Sequence, residues 1–116
     1  MATPSTYTPK RLISPSQLTT GATTLYTVPA STTTQINEII LANDTTSAVT
    51  ATLHLVPTGG SADDTNIIMK AKSLPTDGTP LIYDFEQLFM SAADTIQGLA
   101  SAGSQATIHI MGVELT

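Results

Sequence analysis

Cysteine and tryptophan are both absent from the 116-residue chain, and aromatic residues make up only 4% of it. Without cysteine there are no disulfides, no thiolate catalysis and no cysteine zinc site. The cysteine pair and buried tryptophan that pin the core of true antibody domains are missing as well. Few rings remain for stacking against sugars, so the aromatic supply for a carbohydrate site is thin.

Charged residues are scarce too, at 11% of the sequence against a usual quarter. Nine acidic residues stand against four basic ones, and the formal net charge is -5. Four cations are too few for a groove that tracks phosphates, so we expect no nucleic-acid partner. In their place are 22 threonines and 10 serines, which predict a neutral, hydroxyl-rich surface.

Long apolar runs are also missing, since none approaches the roughly 18 residues that a membrane-spanning helix needs. The first nine residues have neither the basic region nor the apolar region of a secretory signal. We therefore expect no membrane partner and no passage through the general secretory route. Synthesis in the cytoplasm is the expectation.

The length and the 41% hydrophobic content predict one packed domain. We divide the chain into an extended N-terminal arm, residues 1–17, and a β-sandwich domain, residues 18–116. Three prolines in the arm favour extended backbone, because proline fixes φ and restricts the residue before it. The change from this proline-rich segment to regular alternation sets the boundary.

The arm carries the candidate protein-interaction residues. Lys10 and Arg11 are half of all the positive charge in the chain, and Leu12 and Ile13 follow them directly. This apolar pair could dock onto its own subunit or onto another one. We predict that the cations set the register of such a contact and that the apolar pair contributes most of its affinity.

From residue 18 onward threonine, valine, isoleucine and tyrosine dominate, and turn signals recur about every ten residues. Residues 86–92 lack β-branched side chains and are predicted to form one helical turn. The sequence predicts these strands: residues 24–28, 33–43, 49–56, 67–74, 81–85, 94–100 and 106–115.

Two of these segments carry detailed predictions. Residues 33–43 do not fit one strict alternation, which indicates either a bulge near Glu38 or burial on both faces. Residues 49–56 alternate cleanly and place threonines on the outward side. The aromatics expected in the core are Tyr26, Tyr83, Phe85 and Phe89, and Tyr7 is the one expected outside it.

About seven or eight antiparallel strands, with no helix long enough to cover a sheet, favour an all-β fold. We predict an antiparallel β-sandwich of jelly-roll or immunoglobulin-like type with an extended N-terminal arm. Closure into a barrel is the less favoured alternative. A sandwich with so few aromatics would gain stability from surface buried between subunits.

No catalytic, cofactor-binding or metal-binding residue is predicted, and the chain is not expected to be an enzyme. His54 and His109 each sit in a strand without a second ligand at metal-binding spacing, which favours structural roles. Asp63 and Asp64 lie in a glycine-containing loop but lack the spacing of a calcium loop. Neither a nucleophile elbow nor a phosphate-binding glycine motif occurs.

Several segments follow one another in a fixed order: LTTGATTLYTVPA at 18–30, IILAN at 39–43, TLHLVP at 52–57, DTIQGLA at 94–100 and IMGVEL at 110–115. Together they resemble small virion proteins of tailed bacteriophages and prophages. The resemblance covers about residues 18–115 and leaves the arm outside.

This resemblance implies a β-sandwich structural component of a phage particle, made in the host cytoplasm and located in the virion. Within that class we expect a capsid decoration or cement protein on the outside of the head shell. Its partners would be the major capsid protein or another virion protein, together with further copies of itself. A trimer is the expected oligomer, because capsid lattices offer local threefold positions.

An alternative assignment is a fibre, neck or tail component with a host-surface or carbohydrate-binding role. A small hydrolase is a weaker alternative. Binding to empty capsids, binding to glycans and turnover of esters separate the three.

Overall fold

The structure, a computed structural model, describes residues 6–14 and 16–116, and at residues 86 and 87 the backbone alone. Those residues form nine β-strands and no helix, and none of them belongs to a helix long and apolar enough to cross a membrane. The strands are β1 (Tyr7–Arg11), β2 (Ser16–Gln17), β3 (Thr23–Thr27), β4 (Thr33–Asn43), β5 (Val49–Val56), β6 (Ile67–Leu74), β7 (Leu81–Met90), β8 (Thr95–Ala100) and β9 (Ala106–Leu115).

The strands form two antiparallel sheets that pack face to face. The five-stranded sheet has the order β1-β9-β4-β7, with β2 also paired to β9, and the four-stranded sheet has the order β3-β8-β5-β6. When β1 and β2 are counted as one interrupted strand, this is the order of an eight-stranded jelly roll. The predicted antiparallel sandwich is confirmed, and of the two types left open the jelly roll is the one formed.

Alternation along the central strands builds the core between the sheets. In β4 the buried apolar side chains are Ile36, Ile39 and Leu41, and in β9 they include Ile108 and Ile110, all with at most 1% of their surface exposed. Side chains two apart in a strand share a face, so each strand contributes a row of branched residues to the same layer. Leu53 of β5 and Ile96 of β8 close the layer from the other sheet.

The predicted bulge in β4 is confirmed. The pairing of β4 shifts between Ile36 and Glu38 on both sides. Against β9, Asn37 is the extra residue, whereas against β7 the three residues 85–87 lie opposite Asn37. An extra residue moves the following side chains to the opposite face. The shift therefore lets Ile36 and Ile39, which are three apart, both face the core.

The described part of the predicted arm is extended, and it pairs with the sandwich. Residues 7–11 form β1 along the C-terminal half of β9, and residues 16–17 form β2 farther along the same strand. These two strands raise the count above the seven or eight predicted, because the free edge of β9 offers unpaired backbone groups to any extended segment nearby. Residues 1–5 and Pro15 of the predicted arm lie outside the described residues. The division of the chain at residue 18 stays a prediction.

Two predictions about the segment after residue 85 are wrong. The backbone continues as β7 to Met90 instead of forming a helical turn, because Leu88 and Phe89 pair with β4. The ring of Phe89, expected in the core, is 55% exposed, since its neighbour Met90 takes the inward position. The partners across the sheet overrode a local composition that was poor in β-branched residues.

Candidate interaction surface

The N-terminal strand is fastened at one end of the sandwich by a carboxylate. Lys10 of β1 donates to Glu114 of β9, with 3.1 Å between Nζ and Oε1. The hydroxyl of Tyr26, from β3 in the opposite sheet, donates to the other oxygen of Glu114 at 2.5 Å. Since that hydroxyl has one proton, it accepts from the hydroxyl of Thr34 at 2.8 Å. The cluster joins both sheets and β1.

The pKa values of this cluster follow from its contacts. The hydrogen bond from Tyr26, followed by that from Lys10, holds the pKa of Glu114 below its usual value despite partial burial. Burial, together with the hydrogen bond to Glu114, raises the pKa of Tyr26 well above its ordinary value. Glu114 is therefore a carboxylate and Tyr26 a neutral donor at neutral pH, which is a structural arrangement.

The structure separates the four predicted interaction residues. Leu12 and Ile13 are buried in the core of their own subunit, so of the two dockings left open the structure shows the one onto this subunit. Lys10 is engaged by Glu114. Arg11 is exposed, and within the described residues it forms no ion pair. Of the four, Arg11 is the residue available to a partner.

A broader candidate surface is the side of the five-stranded sheet turned away from the core, which we call the outer face. Its alternating positions are apolar in several places, and the side chain of Ile82 is 54% exposed. Phe89 and half-buried His109 lie on the same side by register. The outer face carries Arg11, Glu38, Ile40, Ile82, Asp84 and Met111.

The three charged residues of the outer face named above, Arg11, Glu38 and Asp84, lie in one row across the strands. Arg11 pairs with Met111, Met111 with Glu38, and Glu38 with Asp84, so the row crosses β1, β9, β4 and β7. Directly opposed residues on antiparallel strands share a face and lie close together. The hydrogen bond that Glu38 shares with Asp84 raises the pKa of Glu38 above its usual value. Two acidic groups therefore stand side by side at one end of the row and a guanidinium at the other.

His54 has a structural place, as predicted. Its ring is buried beneath the loop after β5, and its Nδ1 lies 3.0 Å from the carbonyl oxygen of Asp63 and 2.9 Å from Oδ1 of Asn66. Asp63 is itself occupied, because its carboxylate accepts from the backbone and hydroxyl of Thr65, which lowers its pKa. The loop thus covers the histidine.

A solvent-open cleft of about 270 Å³ lies at the other end of the sandwich. Five polar residues and a glycine line it, and Asp44 among them already accepts a hydrogen bond from Gln17 at 2.8 Å. Residues 6–14 and 16–116 hold no group of three or more histidine and acidic side chains arranged for a metal ion. The residues lining the cleft are Asn43, Asp44, Thr45, Thr46, Thr76 and Gly78.

The sequence analysis did not identify the outer face. Its signal was the run Ile39, Ile40 and Leu41, whose middle member must face away from the core if the other two face it. A second signal was Ile82, which lies between inward-facing Leu81 and Tyr83. In both places an apolar residue occupies the position that an ordinary exposed sheet gives to a polar one.

Comparison with models of known protein families and with curated proteins gives no match. Among solved structures the chain is similar to one from the structure of infectious bursal disease virus, Gt strain, with a TM-score of 0.47 and 14% identity. The match covers 95% of this chain and 32% of the other, so this chain spans about a third of its neighbour's length. The jelly-roll assignment rests on the strand order itself.

Proposed function

We propose that this protein is a structural component of a bacteriophage particle, a decoration or cement protein bound to the outside of the head shell. The resemblance of the ordered segments within residues 18–115 supplies the class of protein. The structural observation that carries the proposal is the outer face, which offers an apolar, charge-patterned surface on an otherwise hydroxyl-rich sandwich. Such a surface suits a protein whose work is contact.

The jelly-roll fold is compatible with this role without selecting it. Jelly rolls occur in viral capsid proteins and in lectins, and function depends on the surface that each member carries. The exposed rings here are Tyr7 and Phe89, and they lie at opposite edges of the five-stranded sheet. This separation favours contact with protein over the paired stacking platforms of a sugar site.

The partners in this proposal are the major capsid protein and further copies of the chain. A trimer is the expected form, because three copies can occupy a local threefold position of a head lattice. Exposed Ile82 and Phe89 supply apolar area for such contacts. No nucleic acid takes part, since four cations in the whole chain cannot follow a phosphate backbone.

The test is to mix the purified protein with empty heads of the phage or prophage that encodes it and to measure co-sedimentation. We expect saturable binding, with heads of an unrelated phage as the control. Immunogold labelling of complete particles should then place the protein on the head. Absence of the protein from purified particles, together with no binding to heads, would overturn the proposal.

The same experiments identify the alternative. Gold label on the tail, fibres or neck, combined with selective binding on a glycan array, would contradict the head assignment and support a host-surface role. Label on the head with no glycan binding supports the decoration protein.

A further inference from the structure

The charged row of the outer face is complementary to itself. Arg11 stands at its β1 end, and Glu38 and Asp84 stand at its β4 and β7 end. Neighbouring strands lie about 4.8 Å apart, so the backbone at Arg11 is about 10 Å from that at Glu38 and about 14 Å from that at Asp84. Within its own chain Arg11 forms no ion pair with either Glu38 or Asp84, so the guanidinium and the two acidic groups are left to a partner.

We propose that a second copy of this chain covers the outer face, with Arg11 of one copy placed against Glu38 and Asp84 of the other. Rotation about an axis parallel to the strands brings the basic end of one row to the acidic end of the next. A twofold axis lays the two faces on each other. A threefold axis joins the β1 side of one copy to the β7 side of the next.

The acidic pair gives the contact its direction. Two like charges directly opposed across strands destabilise a sheet, and the nearness of Asp84 raises the pKa of Glu38 accordingly. A guanidinium can donate to two carboxylate oxygens at once, so Arg11 from a second copy matches this pair in geometry as well as in charge.

The apolar row beside the charges supplies contact area. Ile40 stands between His109 and Ile82 in the adjacent row, and Met111 lies within the charged row itself. Charged contacts at an interface mainly fix orientation, and burial of apolar area adds to the affinity. Ile40 and Met111, on the two central strands, therefore form the centre of the interface, and Ile82 on edge strand β7 extends the apolar area beside Asp84.

A copy of the chain is the occupant that the charges favour. Each copy has a net charge of -5, so copies repel one another unless a specific cation meets a specific anion. The charged row supplies both partners of this contact, because each copy carries one Arg11 and one Glu38–Asp84 pair. The inference rests on the homo-oligomer within the proposed function, but it does not depend on attachment to a particle.

The test is sedimentation of the purified full chain and of three charge variants. The first variant is Arg11→Glu, the second combines Glu38→Lys with Asp84→Lys, and the third carries all three substitutions. We expect each of the first two to raise the dissociation constant at least about tenfold, because like charges then face each other. The third should return towards the wild-type value, because every pair is complementary again.

Lys72→Glu is the matched control, since it makes the same change of charge as Arg11→Glu on exposed β6 of the other sheet. It should leave the dissociation constant within about twofold, and circular dichroism should show that every variant remains folded. Either a dimer or a trimer that responds in this way supports the inference.

Three results would overturn the inference. The first is a wild-type chain that stays monomeric up to about 100 µM, far above an ordinary interface Kd. The second is an assembly whose dissociation constant does not change in Arg11→Glu. The third is a folded triple variant whose dissociation constant does not return towards the wild-type value. Self-association with no binding to heads would contradict the proposed function and leave this inference standing.

Discussion

At the scale of single residues, Glu114 links more of the structure than any other polar side chain described above. It lies in β9 and accepts one hydrogen bond from Lys10 of β1 and another from Tyr26 of β3. Lys10 is 104 positions away in the sequence and Tyr26 is 88. Contacts of this range resist opening of the sandwich at its N-terminal edge.

The first prediction concerns the pH dependence of stability. The pKa of Glu114 is lower in the folded chain than its ordinary 4.5, so its contribution is full above that value and is lost as the pH falls through the folded pKa. Glu114→Gln should lower the free energy of unfolding at pH 7 by about 1 to 2 kcal/mol. The difference from wild type should shrink below about pH 4.5, as measured by urea unfolding at several pH values.

The control for this measurement is Asp77→Asn. Asp77 also has a lowered pKa, caused by hydrogen bonds from Thr79 in an exposed turn, and it has no contact with Glu114. This variant should keep the pH-dependent step that Glu114 produces. A Glu114→Gln deficit that stays constant from pH 7 to well below the ordinary pKa would refute the account.

The second prediction concerns Gly112, which faces the core beside the bulge in β4. A Cβ at this position would overlap the backbone oxygen of Gln35 and would press on the side chain of Leu12. Gly112→Ala should therefore cost about 1 to 3 kcal/mol of unfolding free energy, as overpacking does in tight cores. In Gly103→Ala the added carbon meets nothing within 4 Å, and stability should change by less than about 0.5 kcal/mol. Equal effects of the two would count against the close approach.

At the scale of elements, β1 attaches the N-terminal segment to the sandwich. Its backbone pairs with β9 over five residues, and the two residues after it enter the core. An edge strand held on one side by a ladder and followed by buried Leu12 and Ile13 is part of the domain's packing. Its other side is an exposed edge on which Arg11 points to the outer face.

The third prediction tests this packing. Leu12→Ala should lower the free energy of unfolding of the isolated chain by about 2 to 3 kcal/mol, because it leaves a cavity in the core. Tyr7→Thr, in the same strand but at a position 64% exposed, should change it by less than about 0.5 kcal/mol. Chemical denaturation of both variants gives the comparison. If Leu12→Ala causes no loss of stability, Leu12 and Ile13 do not stabilise the core, and a role in binding a partner would be favoured instead.

The sequence predicted the elements best where the pattern was local. The bounds expected for β4, β5, β6 and β9 agree with the structure, because alternation and turn residues are properties of adjacent positions. It failed after residue 85, where pairing with β4 keeps the chain extended although the local composition does not favour a strand.

Local sequence patterns could not predict which face of a strand is buried or which distant residues come into contact. Ile39, Ile40 and Leu41 offer apolar side chains to both sides of β4, and only the bulge settles which side is inside. The pairing of Lys10 with Glu114 leaves no trace in either segment, since each sits among ordinary strand residues. For the same reason the charged row of the outer face, drawn from four strands, could not be predicted.

At the scale of the whole molecule, the two sheets differ in what they show to solvent. The outward positions of β5 include Thr50 and Thr52, whereas the five-stranded sheet presents Ile40 and Ile82. Exposed threonine costs little in water, but exposed isoleucine is normally covered when it forms a patch. The outer face of the five-stranded sheet is therefore the more apolar of the two, and it is the face on which the proposed contact rests.

The last prediction uses this asymmetry. Ile82→Thr keeps a β-branched residue in β7 while removing apolar area from the outer face, so the fold should be retained and association between copies should weaken by about three- to tenfold. Ile68→Thr makes the same change in β6 of the other sheet, at a position 39% exposed, and should leave association unchanged. Sedimentation gives the dissociation constants, and thermal unfolding of each chain shows that neither substitution disturbs the core. If both variants weaken association equally, or if neither does, the contact does not lie on the outer face, and the four-stranded sheet or the loops must provide it.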